Sequence, residues 1–142
     1  MKKLISFAMA IAVVFVGLVC VKPRSFAAES GLLTYTVTDG KACITGTTGT
    51  ITGDFTVPAE IDGYPVVEIG NYAFYTKVNM NKHRIGNFTI SEGIVKVGDY
   101  IVPNQLEAIK NIHIPSTLTQ ISEFSLNRSD NVESFTVNKN NP

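Results

Sequence analysis

Cysteine and histidine are scarce in this sequence, and each scarcity excludes a class of site. The chain has two cysteines, Cys20 and Cys43, and Cys20 lies in a hydrophobic N-terminal run. A scaffold held by several disulfides is therefore excluded, and Cys43 is predicted to be a buried, inert thiol. The two histidines, His83 and His113, have no second histidine or cysteine at ligand spacing, which argues against a zinc site.

Catalytic motifs are missing as well. The sequence contains no Gly-x-Ser-x-Gly, His-Glu-x-x-His or calcium-loop pattern. The glycine-rich run at 46–53 lacks the Gly-Lys-Ser/Thr ending of a phosphate-binding loop, so we interpret it as a turn-rich connector. We therefore predict no enzyme activity, no metal and no other cofactor.

Acidic side chains leave one alternative open. Two carboxylates could converge in space across neighbouring coils of a repeat fold, as in a glycosidase, so a secreted enzyme or inhibitor remains the rival function. In the sequence the carboxylates are scattered singly, at Glu60, Asp62, Glu68, Glu92, Asp99, Glu107, Glu123, Asp130 and Glu133.

The N-terminus has the layout of an export signal. Met1 is followed by two lysines, residues 4–21 carry no charge, and small and polar residues follow up to Ala28. This layout predicts a signal peptide of residues 1–27, cleaved after Ala27, and therefore a secreted or cell-surface protein. Since the uncharged run approaches the length of a membrane span, a retained anchor is the alternative.

Charge is balanced over the whole chain, with 12 basic and 12 acidic residues. Removal of residues 1–27 would leave 12 − 4 = 8 basic side chains against 12 acidic ones, because Lys2, Lys3, Lys22 and Arg24 would be lost. The resulting acidic surface argues against nucleic acid or an anionic membrane as the principal partner, and it favours solubility.

A repeat accounts for most of the chain after residue 54. An apolar-x-apolar triplet recurs in steps of 88 − 55 = 33, 112 − 88 = 24 and 135 − 112 = 23 residues. Such a short strand buries almost nothing alone, so the repeat predicts a mainly β solenoid of about three and a half coils with short parallel strands. The triplets are 55–57, 88–90, 112–114 and 135–137.

The middle residue of each triplet is predicted to point away from the core, because side chains alternate along a strand. In the stacked fold these residues would form one outward row, which is the candidate binding site for a protein partner. The alternative interpretation is that they are ordinary solvent-exposed strand residues, among which threonine is favoured. The row consists of Thr56, Thr89, His113 and Thr136.

The two ends of the predicted solenoid differ. Residues 35–45 have the pattern of a β-hairpin with an Asp39-Gly40 turn, which would cap the first coil. We therefore predict that residues 28–54 form a capping hairpin and connector, and that residues 55–142 form repeats, the last of them incomplete. Phe135 and Val137 are expected on an open strand edge. Either the chain is a truncated version of a larger surface protein, or it closes this end by self-association.

The repeats resemble the BspA-type leucine-rich repeats of bacterial surface proteins. Leucine-rich-repeat spacing is found at 85–90, 109–114 and 132–137, and the residues at 68–70 and 73–74 resemble the corner of the BspA-type unit. The resemblance covers residues 33–142. It implies a curved solenoid, export, and adhesion or protein binding at the cell surface, with a host extracellular or cell-envelope protein as ligand.

Two departures from the family pattern affect packing. Ile101-Val102 and Ser125-Leu126 stand where the first coil has its Ala73-Phe74 pair. Looser packing is therefore expected in the second and third coils.

Overall fold

The computed structural model describes residues 25–75, 83–101, 109–126 and 131–142. Within these ranges the chain forms eleven β-strands and no helix. In chain order the strands are β1 (Phe26–Ser30), β2 (Leu33–Thr38), β3 (Lys41–Thr47), β4 (Thr52–Val57), β5 (Glu60–Ile61), β6 (Tyr64–Ile69), β7 (Arg84–Ile90), β8 (Lys96–Val97), β9 (Asn111–Ile114), β10 (Gln120–Ile121) and β11 (Ser134–Val137).

The strands build two sheets. The front sheet has the order β11-β9-β7-β4, and all its pairs are parallel. The back sheet has the order β1-β2-β3-β6-β8-β10, antiparallel up to β3 and parallel from there, with β5 added against β6. Each of the first three coils therefore adds one strand to each sheet, β11 of the last coil joins the front sheet, and the predicted parallel β-solenoid is confirmed.

The predicted triplets are the last three residues of the front-sheet strands. Phe55 pairs with Phe88, Phe88 with Ile112, and Ile112 with Phe135. Phe88 and Ile112 are almost completely buried, and burial of such side chains contributes about 1.5–3 kcal/mol each. From the first corner, Phe74 reaches into this core and meets Phe88 edge to face at 5.2 Å. Proline follows two of these strands, since β4 ends before Pro58 and β9 before Pro115.

Close backbone approach explains glycine at the corner after β8. A Cβ atom on Gly98 would lie 2.3 Å from Oδ1 of Asn71 and 2.7 Å from its backbone nitrogen. Any side chain here would push the second coil away from the first. In the third coil Ser122 takes this place and donates its backbone N–H to Val97 at 3.0 Å.

The N-terminal hairpin is present as predicted, with Asp39 (φ 52°) and Gly40 (φ 73°) in its turn. The sequence did not predict β1, which pairs antiparallel with β2 and contains the expected cleavage point after Ala27. Asp62 fastens the hairpin to the first coil, because it accepts hydrogen bonds from Ser30 Oγ at 2.9 Å and from the Tyr35 hydroxyl at 2.6 Å. These bonds hold the pKa of Asp62 below its usual value, and the bond to Asp62 raises the pKa of Tyr35 to about 12.

Cys43 corrects one expectation. Its neighbours Ala42 and Ile44 are buried, so the Cys43 side chain points to the outer face of the back sheet, where it is half-buried and not part of the core. Burial, followed by the nearby Glu68 charge, raises the pKa of the thiol to about 11. Since the thiolate is the nucleophilic form of cysteine, the thiol is still predicted to be unreactive.

The last described coil is open on one side. Phe135 is 48% exposed and Val137 is 51% exposed, and among the described strands β11 pairs with β9 alone. Ile101 and Ser125 replace Ala73 and are fully buried. An apolar pocket that is partly open to solvent lies between the second and third coils, and its lining includes Ile101, Leu118 and Leu126. Looser packing of these coils stays a prediction.

Candidate functional site

The predicted row is assembled in register across the front sheet. Thr56 pairs with Thr89, Thr89 with His113, and His113 with Thr136. Thr56 and Thr136 are exposed, while Thr89 and His113 are half-buried between their neighbours. Thr56, Thr89 and His113 alternate with buried or partly buried core residues, and Thr136 continues the row in register, so all four share the outer face of the sheet. We call this line the threonine–histidine row.

A second polar line, which sequence reasoning missed, runs beside the first. Asn87 donates through Nδ2 to Asp54 Oδ1 at 2.9 Å, and Asn111 donates through Nδ2 to Asn87 Oδ1 at 2.7 Å. Ser134 then donates through Oγ to Asn111 Oδ1 at 2.5 Å. These four residues, which we call the polar ladder, link all four front-sheet strands through side-chain hydrogen bonds.

The polar ladder has a direction. Each side chain donates toward the preceding coil, and the chain of donors ends on the Asp54 carboxylate, which also accepts the Asn87 backbone N–H at 3.1 Å. A carboxylate accepts hydrogen bonds only, so it is the suitable last member. Each asparagine keeps one amide hydrogen and one lone pair that the ladder does not use. The outer face therefore presents a fixed array of donors and acceptors.

A signal for the polar ladder was present in the sequence. Its members stand two residues before those of the threonine–histidine row, since 56 − 54, 89 − 87, 113 − 111 and 136 − 134 all equal 2. Residues two apart share a face of a strand, so the polar character of these positions was an indication. The register between β4 and β7 shifts between Gly53 and Phe55, where β7 has one residue more than β4. This bulge keeps Asp54 within hydrogen-bond distance of Asn87.

Charged residues flank the polar ladder where the strands begin. Lys110 and Glu133 form an ion pair at 2.9 Å, and both side chains are well exposed. The bond to Glu133 raises the pKa of Lys110, but an exposed pair contributes little stability. Arg84, at the start of β7, is also exposed. The front sheet thus carries charge at one margin and neutral polar groups across its middle.

Of the carboxylates considered for catalysis, Glu107 and Asp130 lie outside the described residues, and Glu92 has structural partners. Glu92 accepts from the backbone N–H of Ser116 at 2.9 Å, from its hydroxyl at 2.8 Å and from Asn138 Nδ2 at 3.1 Å, so it ties coils together. The bonds from Ser116 lower the pKa of Glu92. Among the described residues, no three His, Cys, Asp or Glu side chains are placed to hold a metal ion. Within the same ranges no helix is long and apolar enough to cross a membrane.

The sequence matches a family model described as "BspA type Leucine rich repeat region (6 copies)" over residues 59–141, more than half of the chain. The chain therefore belongs to the BspA-type leucine-rich repeat family, and its coils are leucine-rich repeats. None of the curated proteins matches it.

Solved structures share the fold. A leucine-rich cell surface protein from Faecalibacterium prausnitzii has a TM-score of 0.65 and 21% identity, over 79% of this chain and 31% of that one. The Treponema pallidum leucine-rich repeat protein has a TM-score of 0.63 and 20% identity, over 77% of this chain and 49% of that one. A leucine-rich repeat protein from Bacteroides capillosus has a TM-score of 0.54 and 20% identity, over 79% of this chain and 98% of that one. The chain spans less than half the length of the first two. At these identities the similarity shows the fold alone.

Proposed function

We propose that this chain is a secreted or cell-surface module that binds a protein partner through the outer face of its front sheet. The polar ladder is the observation that carries the proposal. It holds four coils in one side-chain hydrogen-bond chain, so the face has its geometry before a partner arrives. A preorganised surface loses less conformational entropy on binding. Membership in a repeat family of bacterial surface proteins supports binding rather than catalysis.

The chemistry of the face indicates what kind of partner surface it fits. Hydroxyl, amide and imidazole groups dominate both lines, and the Asp54 carboxylate lies at one end. Such a face suits a polar protein surface joined partly through water, as in antibody–antigen interfaces. Adhesion to a host extracellular protein or to a protein of the cell envelope is the form of binding that we propose.

A paired substitution tests this face. His113→Asp with Thr136→Arg changes two adjacent residues of the threonine–histidine row and places opposite charges side by side, so the fold should be kept. We expect capture of purified extracellular-matrix or envelope proteins to be lost while Tm stays nearly unchanged. Lys41→Glu, at the exposed start of β3, is the matched control and should leave capture intact. Equal capture by the double variant and the control would move the binding site off the front sheet.

Export after removal of residues 1–27 is part of the proposal. Cleavage after Ala27 would leave the β1 pairs of Ala28 with Tyr35, Glu29 with Thr34 and Ser30 with Leu33. It would remove Phe26, whose ring lies 5.7 Å from that of Tyr64. Mass spectrometry of the protein in the medium and in the membrane fraction should find an N-terminus at Ala28. An intact N-terminus held in the membrane fraction would instead show a retained anchor.

Self-association through the β11 edge is a second candidate, favoured by the exposure of Phe135 and Val137. Edge strands with apolar side chains invite pairing with another chain. Light scattering should show a concentration-dependent increase in mass that the double variant Phe135→Lys, Val137→Lys abolishes. A monomer at high concentration, with the amides of residues 134–137 protected from exchange, would show that this edge is covered.

A further inference from the structure

Three aromatic rings form a stacked column at the corner that follows the back-sheet strands. The rings of Tyr72 and Tyr100 are 5.1 Å apart with 12° between their planes, and those of Tyr100 and Phe124 are 5.8 Å apart with 6°. We call these three residues the aromatic column. Tyr75 adds a nearly perpendicular ring 6.1 Å from Tyr72. Each ring of the column comes from a different coil, so the column runs along the stacking direction of the repeats.

The aromatic column is exposed. Tyr72 is 51% exposed and Phe124 is 43% exposed, with Tyr75 at 45% beside them, while Tyr100 between them is half-buried. Neighbouring exposed aromatic rings mark interaction surfaces, because isolated apolar residues are common on proteins but contiguous ones are not. Tyrosine is also among the residues that dominate the binding energy of protein interfaces.

Backbone strain points the same way. Tyr72 has φ 57° and Tyr100 has φ 53°, both in the left-handed region. Among the described residues, the other non-glycine residues with a positive φ are Asp39 and Asp62, and aspartate tolerates this conformation. For a bulky residue this conformation is disfavoured, and asparagine could hold the same turn with less strain. Rings kept at such a cost indicate a role beyond forming the turn.

The corner itself is rigidly held. The Tyr72 backbone N–H donates to the Asp99 carbonyl at 2.8 Å, and that of Tyr100 donates to the Phe124 carbonyl at 3.1 Å. Asn71 accepts the Asp99 N–H through Oδ1 at 2.8 Å. The backbone that carries the rings is therefore held before any partner binds, and the rings stack on one another, which reduces the entropic cost of using them.

Acidic residues adjoin the aromatic column in the sequence. Asp99 directly precedes Tyr100, Glu123 directly precedes Phe124, and neither carboxylate forms an ion pair with a residue in the described ranges. Lys96, on the neighbouring strand β8, is already paired with Glu68 at 2.8 Å. Tyr100 covers one face of Phe124, and no other described ring stacks on the second face. A planar cation would satisfy both the free ring face and the carboxylate.

We propose that the aromatic column, with Asp99 and Glu123, is a second contact surface that binds arginine side chains of a protein partner. The guanidinium group is planar, stacks on aromatic faces and donates to carboxylates, whereas the lysine ammonium lacks the planar face. Tyr100 has rings on both of its faces, so Phe124 offers the open face, where the carboxylate of Glu123 favours a cation over a neutral sugar. The inference rests on the proposed protein-binding function and names the chemistry of the partner.

Peptide titration tests the arginine preference. The probe is a short peptide of alternating glycine and arginine, followed by tyrosine emission, which no tryptophan masks in this chain. We expect the arginine peptide to bind more tightly than a glycine–lysine peptide of equal length. Glu123→Gln and Phe124→Ser should each weaken its binding about tenfold or more. Glu123→Gln changes an exposed side chain and keeps the size of the residue, so it tests the site even if Phe124→Ser impairs folding.

Controls separate this surface from the front sheet. Val95→Ser, at a 41% exposed apolar residue outside the aromatic column, and Thr89→Ala, on the front sheet, should leave peptide binding unchanged. Unaltered binding by Glu123→Gln and Phe124→Ser, equal affinity for lysine and arginine peptides, or column-dependent binding of cello-oligosaccharides would each overturn the proposal. So would a dimer that the same two variants dissociate. If capture is lost in the His113→Asp, Thr136→Arg variant but the arginine peptide does not bind, this surface is wrong and the proposed function stands.

Discussion

Asn111 Nδ2 lies 2.7 Å from Asn87 Oδ1, one coil away, and this bond sets the direction of the whole polar ladder. An aspartate at 111 would place an acceptor against that acceptor. Turning the Asn87 amide over would only move the conflict to Asp54. The direction of donation is therefore a testable property of the front sheet.

We predict that Asn111→Ala lowers the free energy of unfolding by about 1 kcal/mol, the value of a typical hydrogen bond, and that Asn111→Asp lowers it further. Asp54→Asn is the control, because an asparagine at the end of the polar ladder can still accept from Asn87. Denaturant unfolding at neutral pH measures all three. An Asn111→Asp variant as stable as the Asn111→Ala variant would mean that the hydrogen bonds run in no fixed direction.

The hydrogen bond from Tyr35 to Asp62, which joins the hairpin cap to the first coil, should stabilise the protein only within a certain pH range. The pKa of Asp62 in the folded state lies below its usual value of 3.8. Its contribution to the free energy of unfolding is therefore present above pH 3.8 and is lost as the pH falls through the folded-state pKa. The pKa of Tyr35 is raised from 10.0 to about 12, so its contribution is present below 10.0 and is lost as pH rises toward about 12.

Asp62→Asn should therefore lower Tm at neutral pH, and its difference in Tm from the unsubstituted protein should disappear in strong acid. Tyr35→Phe keeps the buried ring but removes the hydroxyl, so it should lower Tm at neutral pH as well. The double variant should cost less than the sum of the two, because both changes remove the same bond. Additive effects would show that the two residues do not stabilise the protein through a shared hydrogen bond.

His83 makes the start of the solenoid sensitive to mild acid. It is buried, and its Nδ1 accepts the Ile51 backbone N–H at 2.9 Å. Burial lowers its pKa below 6.5, so the folded state prefers the neutral ring. The contribution of His83 to stability is complete above pH 6.5 and falls as the pH drops through its folded-state pKa, because the unfolded chain takes up the proton first. Unfolding measured from pH 8 to 4 should show this loss, and His83→Gln should flatten it. An unchanged slope in that variant would assign the loss to other groups.

The repeat could be predicted from sequence because its signals are local: strands of period two, separated by coil-length steps. Phe88 and Thr89 illustrate this, since alternation alone placed one in the core and the other on the outer face. The ladder bonds depend on register between strands far apart in sequence, which a residue pattern does not contain. The left-handed Tyr72 could not be foreseen either, because tertiary contacts overrode a backbone preference that disfavours it. Strand β1 was missed for a related reason, since its residues Ala27, Ala28 and Glu29 have low strand propensity and pair because β2 is there.

The apolar pocket predicts a stabilising substitution. In the first coil, Phe74 fills the space between coils and contacts Phe55 and Phe88 through its ring. In the third coil the smaller Leu126 stands at the matching position and lines the pocket. Leu126→Phe should fill part of this space and raise the free energy of unfolding by about 0.5–2 kcal/mol. Leu126→Ala should enlarge the pocket and lower Tm. A fall in Tm for both variants would show that the pocket cannot accept a ring and that the third coil is already packed as tightly as the first.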